Sequence, residues 1–375
     1  MKQTSKLDET LMQMSYSVSS PTGLDTPSRA LLEEAQLIVI LATHNGAEWI
    51  ERMLAGYETQ KGVDFRWALL VIDNASTDET PVILQRYRST LPLVVVAEPR
   101  PGKNTALNRG LAAFDNLACD YIFTDDDAVP DSGFLAAWRM VFKASETHRL
   151  FGGTVLPCFE GVDITIPQRY AAWHAEIYAC NQRSEGQIPP GAIFGPNMGV
   201  AGDLIRAGFR FNEMIGPKSS DPIYAMGSET EFCMRVAREA NALCWFTTAP
   251  SVRHIVRPKQ ATEDFILARA YRHGRGGAKV NGQLSSGLLS ALKKRLLIAC
   301  FNFFALFGIA GARWNAAWHR GFLAGMRDNL SEGLVPSAQT ILPDQNDQCA
   351  IPCLRSSDRS SLLHDPPNRQ RDRTG

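Results

Sequence analysis

The apolar residues of this chain fall into short blocks separated by polar, small-residue segments at regular intervals. Leu37–Leu41 (LIVIL) is an unbroken β-branched and apolar run, the mark of a strand buried on both faces. It ends in Ala42-Thr43-His44-Asn45-Gly46, after which the pattern turns helical from about Glu48 to Gln60. Trp67–Ile72 predicts a second strand, closing on Asp73-Asn74-Ala75-Ser76-Thr77-Asp78. Ser76 or Thr77 is placed to cap a helix running to about Arg88. Pro92–Ala97 reads as a third strand, Asn104–Phe114 as a third helix, and Tyr121–Thr124 as a fourth strand. Strands alternating with helices predict a mostly parallel α/β sheet.

Three of these strands end in polar, short side chains, and in open α/β sheets ligands bind at the carboxyl ends of strands. The fourth strand ends in Asp125-Asp126-Asp127. Three adjacent carboxylates repel one another, so a fold that gathers them there calls for a cation. Asp125 and Asp127 alternate, and alternate residues of extended chain point the same way. That pair suits one hard divalent ion, Mg2+ or Mn2+, which in turn favours phosphate oxygens. A solvated acidic turn capping the next helix accounts for the triplet equally well when it is taken alone. The first strand is not followed by GxGxxG, and no GxxxxGK[ST] is present, so neither a dinucleotide fingerprint nor a P-loop is available.

Residues 150–260 read as mixed α and β. Gly191–Ala201 is glycine-rich and apolar, and a helix opens at Gly227-Ser228-Glu229-Thr230-Glu231, with Ser228 and Glu231 at capping-box spacing. Cys244–Thr248 predicts a short strand leading to Arg253-His254. Leu296–Ala310 is a 15-residue apolar stretch interrupted by Asn302 and preceded by Lys293-Lys294-Arg295. It is shorter than the roughly 20 residues that cross a bilayer. Trp314, Trp318, Phe322 and Met326 then recur every four residues. These features predict either two helices packed on the preceding domain or a partner, or an interfacial hairpin giving peripheral membrane contact through 290–326.

Composition narrows the classes. Of 375 residues, 45% are hydrophobic, enough for a sizeable core. Thirty-nine basic residues balance 39 acidic ones, which argues against nucleic acid as a partner. Eight scattered cysteines form no CxxC pair, and no apolar leader is visible in the first 35 residues. Both point to a reducing, cytoplasmic setting, peripheral on the inner face of the cell membrane if the hairpin reading holds. The expected organisation is a flexible tail over 1–35, a main domain over 36–280, a helical region over 281–330 and a disordered tail over 331–375.

The ordered series ATHNG, VIDNASTDET, GKNTALNRG, TDDDAVP and GSETEFCMRVA, followed by a histidine, strongly resembles the family 2 glycosyltransferases over roughly residues 36–280. The resemblance implies the GT-A fold, a mostly parallel central sheet flanked by helices, here with a C-terminal helical extension. It implies inverting transfer of a sugar from a nucleotide-sugar donor, usually UDP-linked, to a glycan, lipid-linked or other glycoconjugate acceptor. By similarity, Thr43, Asn45 and Asp73 contact base and ribose, with Lys103, Asn108 and Asp126 nearby. Asp125 and Asp127 become the DxD ligands of Mn2+ or Mg2+, and His254 completes the metal site. Glu229 aligns with the general base. The family's usual Glu-Asp is Ser228-Glu229 here, so Glu231 remains an alternative base. The processive QxxRW signature is absent, and Tyr271-Arg272-His273-Gly274-Arg275-Gly276 stands in its region, suggesting single transfers.

The residue types suit such chemistry. A divalent ion on the aspartates offsets charge on a leaving diphosphate, and a carboxylate opposite it serves as general base. Arg272 and Arg275, planar and always charged, are candidates to hold the pyrophosphate. Two other readings are a sugar-phosphate nucleotidyltransferase, whose glycine-rich basic loop is missing after Leu41, and a non-catalytic nucleotide-sugar or glycan-binding module.

Overall fold

A computed structural model describes residues 25–114, 116–280 and 288–331. Cys349, Cys353 and most of both expected tails lie outside the described residues. Among the described residues nine strands form one sheet: β1 (Leu37–Thr43), β2 (Trp67–Asp73), β3 (Leu93–Ala97), β4 (Asp120–Phe123), β5 (Ala128–Pro130), β6 (His148–Cys158), β7 (Gly186–Gln187), β8 (Met198–Val200) and β9 (Leu243–Ile255). Their order is β3-β2-β1-β4-β8-β6-β9-β5, with β7 on β9. The β3-β2-β1-β4 half is parallel throughout, and β8 enters antiparallel to both its neighbours.

The apolar strand runs explain this half directly. Ile38 and Ile40 pack with Leu70, Ile72 and Val94 on one face. Leu37, Val39 and Leu41 pack with Leu69 and Val71 on the other. Both faces are covered by helices: α1 (Thr26–Glu33), α2 (Ala47–Glu58), α3 (Thr80–Tyr87), α4 (Lys103–Ala113) and α5 (Phe134–Ala144). Register then sets the level of the site. Thr43 lies opposite Asp73, and Ile40 lies opposite Phe123. The residues just past Phe123 therefore stand level with the end of β1.

Several expectations need correction. The expected N-terminal tail contains α1, capped by the Asp25 carboxylate on the Ser28 N–H at 2.9 Å, with Leu32 fully buried in the core. Its few apolar residues meet the sheet at a helical spacing too short to stand out. Ser76 and Thr77 do not cap α3. The cap position is Glu79, whose side chain makes no capping bond, and Asp78 before it takes the Thr80 N–H at 3.0 Å and its hydroxyl at 2.6 Å. The short strand at Cys244 is the first part of the 13-residue β9. Cys119, Cys233 and Cys244 are buried free thiols, while Cys300 is exposed.

Short helices α6 (Thr165–Arg169), α7 (His174–Tyr178) and α8 (Gly202–Arg206) follow, then α9 (Ser228–Glu239) and the C-terminal trio α10 (Glu263–Val280), α11 (Leu288–Ala305) and α12 (Ala310–Ser331). The four-residue aromatic row of α12 points inward. Trp314 is buried with Tyr170, Ile177 and Ile266, and Phe322 and Met326 pack on Ala278. Helices α10 and α12 cross closely because their contact points are glycines. A Cβ on Gly274 would collide with the Trp318 carbonyl, and one on Gly321 with that of Tyr271. Backbone lies on the far side, so relief requires the helices to separate. Gly274→Ala should therefore destabilise the protein by about 1–3 kcal/mol, read as a lower urea midpoint, whereas Gly161→Ala, with open space around it, probes only loop backbone.

Candidate active site

The carboxyl ends of β1, β2 and β4 open onto a cavity of about 470 Å³. Thr43, Lys103, Asp125, Asp126, Asp127, Glu229 and His254 all line it, although they come from five separate parts of the chain.

Burying the acidic triplet requires a partner for each carboxylate. Asp125 accepts from the Lys103 ammonium at 2.6 Å. The Thr43 hydroxyl donates to Asp126 at 2.7 Å. Asp127 is held between the Arg257 guanidinium at 2.7 Å and the His254 ring at 3.1 Å. Burial pushes the Asp126 carboxyl up, and the neighbouring Asp127 charge adds to it. Burial acts on Asp127 in the same direction, but His254 and Arg257 outweigh it and hold that carboxyl well below the usual range.

His254 reaches the site because β9 pairs with β5, placing it opposite Ala128. Its Nδ1 lies 2.8 Å from the Tyr178 carbonyl. A carbonyl only accepts, so Nδ1 carries the proton and Nε2 faces Asp127. Burial disfavours the charged ring, yet Asp127 raises its pKa above the ordinary value. Ligand atoms of Asp125, Asp127 and His254 lie within 4.8 Å of one another. Two hard oxygens and one imidazole nitrogen, its tautomer fixed by a backbone carbonyl, fit a divalent metal.

Glu229 lies in the first turn of α9. Gly227, at φ 109°, turns the chain into that helix, a backbone conformation that glycine reaches without a Cβ clash. Ser228 is therefore inside the helix and caps nothing. The Glu229 carboxylate accepts from Lys103 at 3.2 Å, so one ammonium spans Glu229 and Asp125, and these two carboxylates together raise the Lys103 pKa against its burial. A Cβ on Gly195 would strike Glu229 Oε1. Glu231 forms an ion pair with Arg235 at 2.7 Å and lies outside the cavity lining.

Other expected contacts sit elsewhere. Asn45 and Asp73 shape the loops beside the cavity. Asn45 Oδ1 accepts the Thr77 N–H at 2.8 Å, and Asp73 accepts the Ser76 N–H at 3.0 Å. The Asn108 amide is used on the chain itself, donating to the Phe211 carbonyl at 2.8 Å and accepting the Phe211 N–H at 2.9 Å. Arg275 pairs with Asp221 and Asp328, at 2.9 and 2.7 Å. Arg272 lies over the rings of Tyr224 and Phe265. Neither arginine lines the cavity, because the α-helical period of α10 turns Arg269 and His273 toward it instead.

Besides Lys103, the lysine and arginine side chains on the cavity wall are Lys218, Arg257 and Arg269, which sequence reading missed. Arg257 lies three residues past His254, and that spacing was the available signal. Asn74 was missed as well. Its amide donates to the Glu98 and Arg100 carbonyls at 2.8 and 2.7 Å and accepts the Gly102 N–H at 2.8 Å. Those bonds set the turn that delivers Lys103, with Gly102 at φ 139°.

Residues 38–195 match the family model described as Glycosyl transferase family 2. The chain carries a family 2 glycosyltransferase domain of the GT-A type, and the protein is a glycosyltransferase that moves sugar from a nucleotide-sugar. Similar solved structures include the mannosyltransferase PcManGT from Pyrobaculum calidifontis in complex with GDP-Man and Mn2+, at 19% identity and TM-score 0.48 over 83% of this chain and 78% of that one. S. aureus TarS in complex with UDP is 14% identical, with TM-score 0.45 over 82% and 94% of the two chains. Glucosyl-3-phosphoglycerate synthase from Mycobacterium tuberculosis, in complex with Mn2+, UDP and glucosyl-3-phosphoglycerate, is 18% identical, with TM-score 0.43 over 68% and 83%. No curated protein matches the chain.

Two outcomes follow from this geometry. Asn74→Ala leaves a buried N–H and two carbonyls without partners, at about 1–3 kcal/mol for each group that water cannot reach, so its urea midpoint should fall clearly below wild type. The His273 ring is pushed down to about 3, by burial first and then by Arg269. Its unfolded-state pKa is higher, so below about 6.5 the unfolded chain binds the proton more readily. That stability is intact above pH 6.5 and is lost as pH falls toward 3. His273→Gln should flatten the slope of unfolding free energy against pH in that window.

Proposed function

We propose that this enzyme is a metal-dependent, inverting glycosyltransferase that takes its sugar from a UDP-sugar on the cytoplasmic side of the membrane. The acceptor is a hydroxyl of a glycan or lipid-linked glycoconjugate. The observation that carries this reading is the single cavity in which Lys103 joins Asp125 to Glu229, beside the cluster of Asp125, Asp127 and His254. Uridine is what the family resemblance implies for the base.

Asp125, Asp127 and His254 would hold a divalent ion, Mn2+ or Mg2+, which would supply Lewis-acid stabilisation of a leaving diphosphate. Thr43 orients Asp126 at the end of β1, so the donor meets a fixed polar floor. Arg257, Arg269 and Lys218 place positive charge around the cavity where a leaving diphosphate gathers negative charge. Glu229 takes the proton from the acceptor hydroxyl. The freed oxygen attacks the anomeric carbon from the side opposite the diphosphate, and the bond from that carbon to the diphosphate oxygen breaks. Lys103 holds the Glu229 carboxylate at the edge of the donor site until the acceptor arrives.

Titrating UDP, GDP and dTDP against thermal stability, each with Mn2+ or with EDTA, tests the donor site. UDP should raise the melting temperature in a metal-dependent way, and Asp127→Ala should abolish the shift. Glu229→Gln should keep that shift but lower turnover by about 100- to 10,000-fold, while Glu231→Gln retains turnover. A chain that no nucleotide stabilises, or a fully active Glu229→Gln variant, would sink the reading.

A further inference from the structure

The face of α11 turned away from α12 is apolar and open to solvent. Leu289, Leu296 and Phe303 are spaced seven residues apart with Leu292 between them, which sets them on one stripe, and they are 83%, 61% and 58% exposed. The stripe continues around the helical turn, where Leu306 is 81% and Phe307 69% exposed, with Phe304 and Ile309 also exposed. This is the opposite surface from the aromatic row of α12, which is buried on α10.

Charge follows the same segment. The whole chain is neutral, yet residues 281–327 contain no aspartate or glutamate and carry Lys293, Lys294, Arg295, Arg313, Arg320 and Arg327. Lys293 and Arg295 are exposed beside the apolar stripe, and Arg320 is exposed on α12. A second copy of this chain in a two-fold contact would bring the same positive residues against themselves. An anionic lipid surface complements them, and each basic side chain near such a surface adds to the attraction. No helix among the described residues is long and apolar enough to cross a membrane, which leaves a hairpin lying in the interface.

We propose that the α11–α12 hairpin docks the enzyme on an anionic bilayer, with Phe303, Phe304, Leu306 and Phe307 inserted at the acyl boundary and Lys293 and Arg295 at the headgroups. Helix α10 links this surface to the chemistry, since it packs α12 through Gly274 and lines the cavity through Arg269 and His273. The docked enzyme draws its acceptor from the bilayer, so the acceptor class is a lipid-linked one; this last step rests on the transferase reading, whereas the docking surface rests on the hairpin alone.

Flotation of the full chain, purified without detergent, tests the proposal with vesicles of phosphatidylcholine alone or mixed with phosphatidylglycerol. The protein should float with the mixed vesicles and far less with the neutral ones. Phe304→Ser/Phe307→Ser should cut partitioning about tenfold or more, and Lys293→Glu/Arg295→Glu should remove the preference for phosphatidylglycerol. Both variants should melt at the wild-type temperature, because the substituted side chains are exposed. Absence of flotation with either vesicle, or flotation that neither variant weakens, overturns the proposal. So does a wild-type dimer in light scattering that becomes monomeric in the phenylalanine variant without any flotation. Donor hydrolysis in solution reads the cavity separately: its loss with flotation intact counts against the transferase reading and leaves the docking surface standing.

Discussion

Three adjacent carboxylates at the end of a buried strand are tolerated only when each finds a compensating partner. Meeting that requirement draws in distant parts of the chain. Lys103 comes from the start of α4, Thr43 from β1, His254 from β9, and Arg257 from the segment just beyond it. Glu229 joins because Lys103 has donors to spare after Asp125. The sheet brings these segments near, and the electrostatics of the triplet decide how they finally face one another.

The same compensation prepares the site for chemistry. Lys103 and Arg257 neutralise the aspartates, and the His254 ring is oriented by a backbone carbonyl that cannot change its role. The cavity is then already polar, charged and shaped, which is where a preorganised site gains over water. Asn74 belongs to this arrangement although it carries no charge. By fixing the turn at Gly102 it sets where the Lys103 ammonium stands.

Glycine plays the corresponding part at the C-terminal end. Gly274 and Gly321 let α10 and α12 approach until backbone meets backbone, and this contact commits the aromatic row of α12 to the interior. Helix α11 is left to cover one side of α12 with a narrow face, so its remaining large apolar residues stay exposed, Phe303 packing edge-on against its neighbours Phe304 and Phe307. One close helix crossing thus accounts both for the cavity wall and for the exposed stripe.

The strand runs, the parallel half of the sheet and the acidic triplet were legible in the sequence, because unbroken apolar blocks and adjacent charges are local signals. Lys103, Glu229 and His254 could be singled out only through the family pattern, and tertiary structure decided that they share one cavity. Family pattern and residue type do not decide by themselves which groups face the cavity. Asn108, Arg272 and Arg275 carry suitable groups near the right motifs, yet helical phase and nearby carbonyls or carboxylates commit them to the chain itself. Arg269 on α10 and Asn74 after β2 went unnoticed because arginines and asparagines are common in such places and nothing local distinguishes those that face a cavity, while Arg257 offered only its spacing from His254. The hairpin shows the same division. Its sequence determined that apolar and basic residues lie together, but which face is buried depends on how closely two glycine-bearing helices approach, and that distance exists only once the chain has folded.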